Sequence, residues 1–194
     1  AMRTAVPVGE GAMAAILGLG AQAVVEGCRR AAAESGAVVS AANFNDPKQT
    51  VISGAKAGVN KACELLKAMG SKRALPLPVS APFHCALMRP AAEALKQKLA
   101  SVPIAAPRVP VVNNVDVATI SDPAAIRDAL VRQAFAPVRW VEVIQALRSR
   151  GLQHVIECGP GKVLAGMTRR IDGELIAGSV LDPASLAETK AVLA

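Results

Sequence analysis

One continuous stretch, from residue 11 to residue 79, decides the fold of the N-terminal part of the chain and reads GAMAAILGLGAQAVVEGCRRAAAESGAVVSAANFNDPKQTVISGAKAGVNKACELLKAMGSKRALPLPV. Short apolar runs that end at glycine or proline are typical of buried strands. Apolar residues that recur every three or four positions are typical of helices. These patterns predict a strand at 11–19, a helix at 22–35, strands at 38–43 and 49–53, a helix at 58–69 and a strand at 73–79.

Turn-forming residues separate these elements. The first predicted helix ends at Gly36, and its core-facing side is predicted to carry Val24, Val25, Cys28, Ala31 and Ala32. The Asn-Asp-Pro-Lys sequence at 45–48 favours a turn that joins the middle strands as a hairpin. The resulting order β-α-β-β-α-β is that of a ferredoxin-like unit, in which both helices cover one face of a small sheet. We therefore expect a ferredoxin-like small subdomain at 11–79.

The pattern changes after residue 79. We predict helices at 90–101, 122–135, 138–150 and 161–171, strands at 154–158 and 175–180, and an extended segment at 107–113. A strand, a glycine turn, a helix and a second strand in succession are typical of a parallel sheet. The chain is thus predicted to be α/β, with a connecting segment at 1–10, the small subdomain at 11–79 and part of a parallel-sheet core at 80–194.

Composition excludes several classes of function. The 194 residues include 52% hydrophobic and 19% charged residues, as folded globular proteins do. Aromatic residues make up 2%, which argues against nucleic-acid binding through stacked aromatic side chains. The net charge of +7 favours an acidic partner, although the basic residues are scattered, with pairs at 29–30, 72–73 and 169–170 and no longer run. No apolar run reaches the 18 or so residues of a membrane span.

The cysteines and histidines are too widely spaced for the usual metal motifs. Cys28, Cys63, Cys85 and Cys158 form no C-x-x-C pair, so we expect no metal site, no dithiol redox centre and a cytoplasmic protein with reduced thiols. Cys158 follows a predicted strand and is expected to be a buried thiol.

His84 is the better of two candidates for a general base. It lies in a loop between a predicted strand and a predicted helix, whereas His154 opens a strand and looks peripheral. The alternative is a loop histidine bonded to nearby backbone. No Gly-x-Ser-x-Gly sequence, the turn that exposes a nucleophilic serine, occurs in the 194 residues, and Ser80 lacks the flanking glycines.

Several segments together resemble a known family, the malonyl-CoA:acyl-carrier-protein transacylases of fatty acid synthesis. They occur in the family's order and span nearly the whole chain, which makes the set far more specific than any one of its parts. The matching segments are Ala5-Val-Pro with Gly11-Ala-Met-Ala-Ala, Asn43-Phe-Asn-Asp-Pro-Lys-Gln-Thr-Val-Ile-Ser-Gly, Lys72-Arg-Ala-Leu-Pro-Leu-Pro-Val-Ser, Phe83-His-Cys-Ala-Leu-Met, Val111-Val-Asn-Asn-Val-Asp and Glu157-Cys-Gly-Pro-Gly-Lys-Val-Leu.

The resemblance implies an α/β-hydrolase-like core that carries a ferredoxin-like insert. It also implies that His84 activates a serine, which takes malonyl from coenzyme A and passes it to the phosphopantetheine thiol of the acyl carrier protein. Gln133 matches the residue whose backbone carbonyl orients that imidazole. Phe83 matches a position that limits the bulk of the acyl group, in keeping with a preference for malonyl.

Further matching residues concern the substrates. Asn43 and Asn45 match a loop that faces the cleft, where they position substrate or simply stabilise a turn. Lys72 and Arg73 match a basic patch that meets the acidic carrier protein. The implied substrates are a coenzyme A thioester and the carrier protein, with no cofactor, no nucleic acid and no membrane.

The family's nucleophile segment has no counterpart in these residues. We therefore expect the chain alone to be inactive, because loss of the nucleophile costs about 10⁶-fold in rate. We also expect exposed apolar faces that lead the isolated chain to aggregate, or to pair with itself or with the missing segment. The alternatives are a non-catalytic module that binds an acyl carrier or coenzyme A, and an acyltransferase domain of a polyketide or fatty-acid megasynthase.

Overall fold

The computed structural model describes residues 5–7 and 9–193. Residues 1–4 and 8 of the predicted connecting segment lie outside the described residues, as does residue 194. The fold is mixed α/β, and the chain forms two compact units, one up to Trp140 and one from Val141 onward. The predicted division into 1–10, 11–79 and 80–194 stays a prediction.

The first unit begins with the predicted β-α-β-β-α-β order, which is confirmed. Its elements are β1 (Gly11–Leu17), α1 (Ala21–Ser35), β2 (Val39–Asp46), β3 (Gln49–Ala55), α2 (Lys56–Ala68) and β4 (Arg73–Pro76). The strands form one sheet in the order β2-β3-β1-β4, and all neighbouring strands are antiparallel. The predicted hairpin turn is confirmed, although β2 continues to Asp46 and pairs there with Gln49.

Both faces of this sheet carry apolar side chains. On the helix side, the buried core includes Ile16, Ile52, Val24 and Leu66, all with no exposed surface. The helices approach closely at Gly27, where a Cβ would lie 2.4 Å from Cδ2 of Leu66. On the opposite face lies a second group of buried residues, hereafter the far-face cluster: Met13, Ala15, Ala42 and Val51.

The boundaries of α1 follow from its sequence, but its buried face differs from the prediction at one position. Gly36 ends the helix with φ of 65°, a left-handed conformation that glycine adopts without strain, and its N–H donates to the carbonyl of Ala32. The assignment of Val25 to the core face is wrong, since Val25 is 47% exposed. Gly27 takes part in the buried face instead.

The rest of the first unit holds two helices joined by irregular chain. A short 3₁₀ turn (Ala86–Met88) leads into α3 (Arg89–Ala100), and α4 follows at Pro123–Arg132. Asp122 caps α4 as its sequence suggests, with its Oδ2 accepting from the N–H of Ala125 at 2.7 Å. The segment predicted as extended at 107–113 has no regular strand and forms a single bridge, between Val112 and Thr119.

The second unit is smaller and contains a parallel pair of strands. Its elements are α5 (Trp140–Ser149, which begins at the last residue of the first unit), β5 (His154–Cys158), α6 (Val163–Ile171), β6 (Ile176–Val180) and α7 (Pro183–Leu193). The predicted parallel pairing of the last two strands is confirmed. Helix α7 was not predicted. Among the helices of the described residues, none has the length and apolar character needed to cross a bilayer.

Candidate active site

The loop that carries His84 rests directly on the start of β1. Pro82 is fully buried against Gly11, where a Cβ would lie 2.4 Å from Cδ of the proline. Any side chain at position 11 would therefore push the loop away from the strand. Two residues later, His84 has φ of 59°, in the left-handed region that residues other than glycine rarely adopt.

The two neighbours of His84 hold the loop in place. Phe83 packs against the far-face cluster and also against a third buried group, formed by Ala81, Met88 and Ala91. Cys85 is buried, and its Sγ–H donates to the carbonyl of Pro82 at 3.1 Å. Burial raises the pKa of the Cys85 thiol, so the thiol keeps the proton that this hydrogen bond requires. These contacts hold the strained backbone of His84 in place. Strain that is maintained in this way is typical of functional sites.

The structure brings His84 and Gln133 together, although 49 positions separate them in the chain. Nδ1 of His84 lies 3.0 Å from the backbone oxygen of Gln133. A carbonyl has no hydrogen to donate, so Nδ1 must carry the proton of this bond. A neutral imidazole then has its lone pair on Nε2, where it can accept a proton from a hydroxyl.

The position of Gln133 in the fold explains why its carbonyl is available. Gln133 is the residue directly after α4, and its own N–H bonds back to the carbonyl of Ala129 at 3.0 Å. The last carbonyls of a helix have no N–H ahead of them within the helix. The Gln133 oxygen therefore accepts from a side chain that approaches the helix end, which here is the His84 ring.

Asn43 and Asn45 were expected in a loop, but both lie in β2, because that strand continues to Asp46 and pairs with β3. They are close in the fold to the chain that follows Gln133. The N–H of Phe44 donates to the carbonyl of Val138 at 2.9 Å, and the N–H of Val138 donates to the carbonyl of Ala42 at 2.8 Å. Asn43 thus forms a bridge with Val138, and Asn45 follows it as a half-buried residue of the same strand. Their role toward substrate stays a prediction.

Lys72 and Arg73 lie at the opposite end of β1 from the His84 loop. Arg73 opens β4, an edge strand, and pairs with Leu17 at the end of β1, while both basic residues are exposed. Pro82 contacts Gly11 at the start of β1. Six residue steps of β-strand separate the two ends by roughly 20 Å.

Two other polar candidates remain outside this arrangement. The expectation of a buried thiol at Cys158 is wrong, because Cys158 is exposed at the end of β5. Ser80 is exposed in the loop after β4. Within residues 5–7 and 9–193, no three His, Cys, Asp or Glu side chains are grouped closely enough to hold a metal ion.

The sequence of this chain is similar to a known family and to several known proteins. The acyl transferase domain family model matches residues 1–172. The malonyl CoA-acyl carrier protein transacylases of Salmonella typhimurium and Bacillus subtilis are 51% and 45% identical over 185 residues. These alignments cover 95% of this chain but 59% and 58% of the two relatives, so the chain spans about three fifths of their length.

Two solved structures are also similar to this chain over nearly its whole length. An acyl-carrier-protein S-malonyltransferase from Burkholderia pseudomallei is 62% identical with a TM-score of 0.94, over 97% of this chain and 61% of that one. A malonyl-transacylase solved in complex with a type II PKS acyl-carrier protein is 48% identical with a TM-score of 0.93, over 96% of this chain and 60% of that one.

Proposed function

The chain belongs to the acyl transferase domain family, and from that membership we propose that it supplies the histidine base of an enzyme that transfers malonyl from coenzyme A to an acyl carrier protein. The observation that carries the proposal is the bond between His84 Nδ1 and the Gln133 carbonyl, 3.0 Å long, on a strained and well-anchored loop. A histidine that served only to fill a loop would not require its ring to be fixed to a helix end through a left-handed backbone.

In the proposed first half-reaction, a serine hydroxyl from the remainder of the family domain attacks the thioester carbonyl of malonyl-CoA. Nε2 of His84 takes the hydroxyl proton as the new ester bond forms. The thioester C–S bond then breaks, and the departing sulfur of coenzyme A takes the proton from the imidazolium. Gln133 keeps the ring in one tautomer throughout, because its carbonyl accepts the Nδ1 hydrogen in both the neutral and the charged form.

The second half-reaction reverses these steps with the phosphopantetheine thiol of the carrier protein. His84 takes the thiol proton, the thiolate attacks the malonyl ester, and the serine oxygen leaves with that proton. The carrier protein docks at Lys72 and Arg73, whose charge suits an acidic partner. The roughly 20 Å between this patch and the His84 loop suits delivery of the thiol on a flexible arm rather than docking of the carrier protein on His84 itself.

We also propose that the chain contains a ferredoxin-like small subdomain and part of an α/β-hydrolase-like core. The strand order β2-β3-β1-β4 and the placement of both helices on one face support a ferredoxin-like small subdomain. The parallel strands β5 and β6 with their helices support an α/β-hydrolase-like core. Phe83, Asn43 and Asn45 are the proposed substrate-side residues. No cofactor is required, and the four free cysteines suit a cytoplasmic setting.

The two histidines of the chain provide a matched test. In the acyl transferase domain that contains these residues, His84→Ala is expected to lower the rate of malonyl transfer by about 10⁴-fold or more, since the base and its nucleophile act as a unit. His154→Ala is expected to stay within a few-fold of the unsubstituted domain. Transfer of labelled malonyl from malonyl-CoA to a phosphopantetheine-loaded carrier protein measures both.

Two outcomes would contradict the proposal. One is transfer by His84→Ala at a rate close to that of the unsubstituted domain. The other is a domain that binds malonyl-CoA and carrier protein but transfers nothing, which would support the non-catalytic alternative. The 194 residues alone are expected to show no transfer, because they contain no Gly-x-Ser-x-Gly nucleophile.

A further inference from the structure

The Val111-Val-Asn-Asn-Val-Asp segment has no part in the proposed reaction. It nevertheless leads into a turn that several hydrogen bonds hold in one conformation. The side chain of Asn113 makes two bonds within it: Oδ1 accepts from the N–H of Asp116 at 2.8 Å, and Nδ2 donates to the carbonyl of Ala118 at 2.9 Å. The N–H of Val117 also donates to the carbonyl of Asn113 at 3.1 Å. The turn is therefore held from both ends by one asparagine.

The backbone of this turn is strained at Val117, which has φ of 56°. A β-branched residue in the left-handed region is a true outlier, and such strain persists only where neighbouring contacts enforce it. Asp116, the residue directly before Val117, is held in this turn by the hydrogen bond that its N–H donates to Oδ1 of Asn113.

Asp116 forms a two-pronged ion pair with Arg132, the last residue of α4. Its Oδ1 accepts from Nη1 at 2.6 Å and its Oδ2 from Nη2 at 2.8 Å. The hydrogen bonds from Arg132 hold the pKa of Asp116 below its usual value. Nε of the same guanidinium donates to Asp128, one turn earlier on α4, at 2.6 Å. The Arg132 guanidinium thus bonds to α4 itself through Asp128 and to the 113–118 turn through Asp116.

Arg132 directly precedes Gln133, the residue whose carbonyl holds His84. We propose that the bidentate Asp116–Arg132 pair is a positioning device: it holds the end of α4 on the strained 113–118 turn and so sets where the Gln133 carbonyl meets the His84 ring. Asp116 and Arg132 are accordingly positioning residues, and their effect on transfer rests on the proposed role of His84 as base.

A second set of contacts limits the other movements of this helix end. The carbonyl of Arg132 accepts from the N–H groups of Phe135 and Ala136, and the guanidinium of Arg89 lies 4.5 Å above the centre of the Phe135 ring. These contacts hold the chain after Gln133. The pair with Asp116 ties the end of α4 to the 113–118 turn through charged, directional bonds. Further along the chain, Nη1 of Arg139 donates to the carbonyl of Val115 in the same turn at 3.3 Å.

The ion pair is suited to positioning rather than to global stability. About a third of each side chain is exposed, 34% for Asp116 and 37% for Arg132. Exposed pairs of this kind contribute about 0–1 kcal/mol to folding because water screens them. Variants of the pair should therefore fold, which makes their effect on His84 measurable.

The most direct test is the ¹⁵N spectrum of the two histidine rings of this chain, recorded at about pH 9, where an ordinary imidazole is neutral. In Asp116→Asn we expect the Nδ1-protonated population of His84 to fall toward the mixture seen in free histidine. The His154 signals should not change. His154 lies in the second unit, so circular dichroism of the variant, compared with that of the unsubstituted chain, reports whether the first unit stays folded.

Two further variants separate the geometry of the pair from its charge. Asp128→Asn removes a carboxylate from the same guanidinium but leaves the bond to the 113–118 turn, so its His84 spectrum should match that of the unsubstituted chain. Arg132→Lys keeps the charge but cannot form the two-pronged bond, so it should reproduce the effect of Asp116→Asn.

In the complete domain, Asp116→Asn should lower kcat for malonyl transfer by about tenfold and leave the KM for malonyl-CoA within about twofold, because a small misplacement of the base affects the chemical step. An unchanged His84 spectrum in Asp116→Asn, or an equal change in Asp128→Asn, would overturn the proposal. Either result would leave the His84→Ala assay untouched, so failure of this inference is distinguishable from failure of the proposed function.

Discussion

Two regions of the molecule differ in how they bury apolar surface. One is the four-stranded sheet with its two helices, and the other is the second unit. Both faces of the four-stranded sheet carry buried side chains. The second unit has a sheet of only two strands, and α7 buries no residue at all. Parallel strands normally need cover on both faces. The first region therefore has the features of a self-sufficient core, whereas the second leaves apolar side chains in contact with water.

The second unit also carries many of the exposed large apolar side chains of the described residues. They are Leu152, Val163, Leu164, Ile176, Leu181, Leu186, Val192 and Leu193. Contiguous exposed apolar surface is uncommon on monomeric proteins and typical of surfaces that another partner covers. The two regions should therefore respond to the same perturbation in different ways.

The largest expected effect is on the oligomeric state of the isolated chain. The isolated 194-residue chain should elute in size-exclusion chromatography as dimers or larger species, because apolar surface on the second unit is exposed. Glutamate in place of Val163 and Val192 should shift the population toward monomer, since both side chains already face water and adding a charge there opposes association. A chain that stays monomeric across a hundredfold range of concentration would contradict this expectation.

The next effect compares two isoleucines in strands. Ile52 in β3 has no exposed surface, whereas Ile176 in β6 is 47% exposed. Ile52→Ala should lower the free energy of unfolding of the first unit by about 2–5 kcal/mol, because it removes apolar contacts and leaves a cavity. Ile176→Ala should cost well under about 1 kcal/mol. Urea titration followed by circular dichroism measures both, and equal losses would remove the distinction between the regions.

The smallest effect concerns the basic patch at the end of the four-stranded sheet. Replacing Lys72 and Arg73 by alanine should raise the KM for the carrier protein several-fold at low salt and leave kcat unchanged, because exposed charges act mainly on the encounter between partners. The effect should shrink at high salt. Arg29→Ala is the control, because Arg29 is also an exposed basic residue but its charge is paired with Glu26 on α1. An equal KM effect in Arg29→Ala would rule out a specific patch.

The sequence predicted the first region well because its signals are local. The apolar spacing and the turn residues Gly36, Pro47 and Gly70 determine the elements without reference to distant chain. The assignments of Val25 and Cys158 were wrong for one physical reason: a local pattern places a side chain on a helix face or at a strand end, but it does not reveal whether another element covers it. Helix α7 lacks a buried face altogether, so periodicity offered nothing to detect.

The candidate site was predictable only in part. The loop position of His84 marked it as the candidate base, and resemblance to a family added Gln133. The structure places Nδ1 of His84 3.0 Å from the Gln133 carbonyl oxygen. The features that hold them there could not be predicted, because each joins residues that are distant in sequence: Pro82 on Gly11, and Asp116 with Arg132. The left-handed backbone of His84 likewise results from tertiary contacts, since histidine has little intrinsic preference for it.

The central claim is that a main-chain oxygen fixes the His84 ring so that Nε2 is free to accept a proton. The ¹⁵N spectrum of the unsubstituted chain at about pH 9 tests it most directly, because it reports which ring nitrogen carries the hydrogen of a neutral imidazole. His84 is expected to be protonated at Nδ1 and bare at Nε2. A His84 ring protonated mainly at Nε2, or averaging between the two forms as free histidine does, would contradict it.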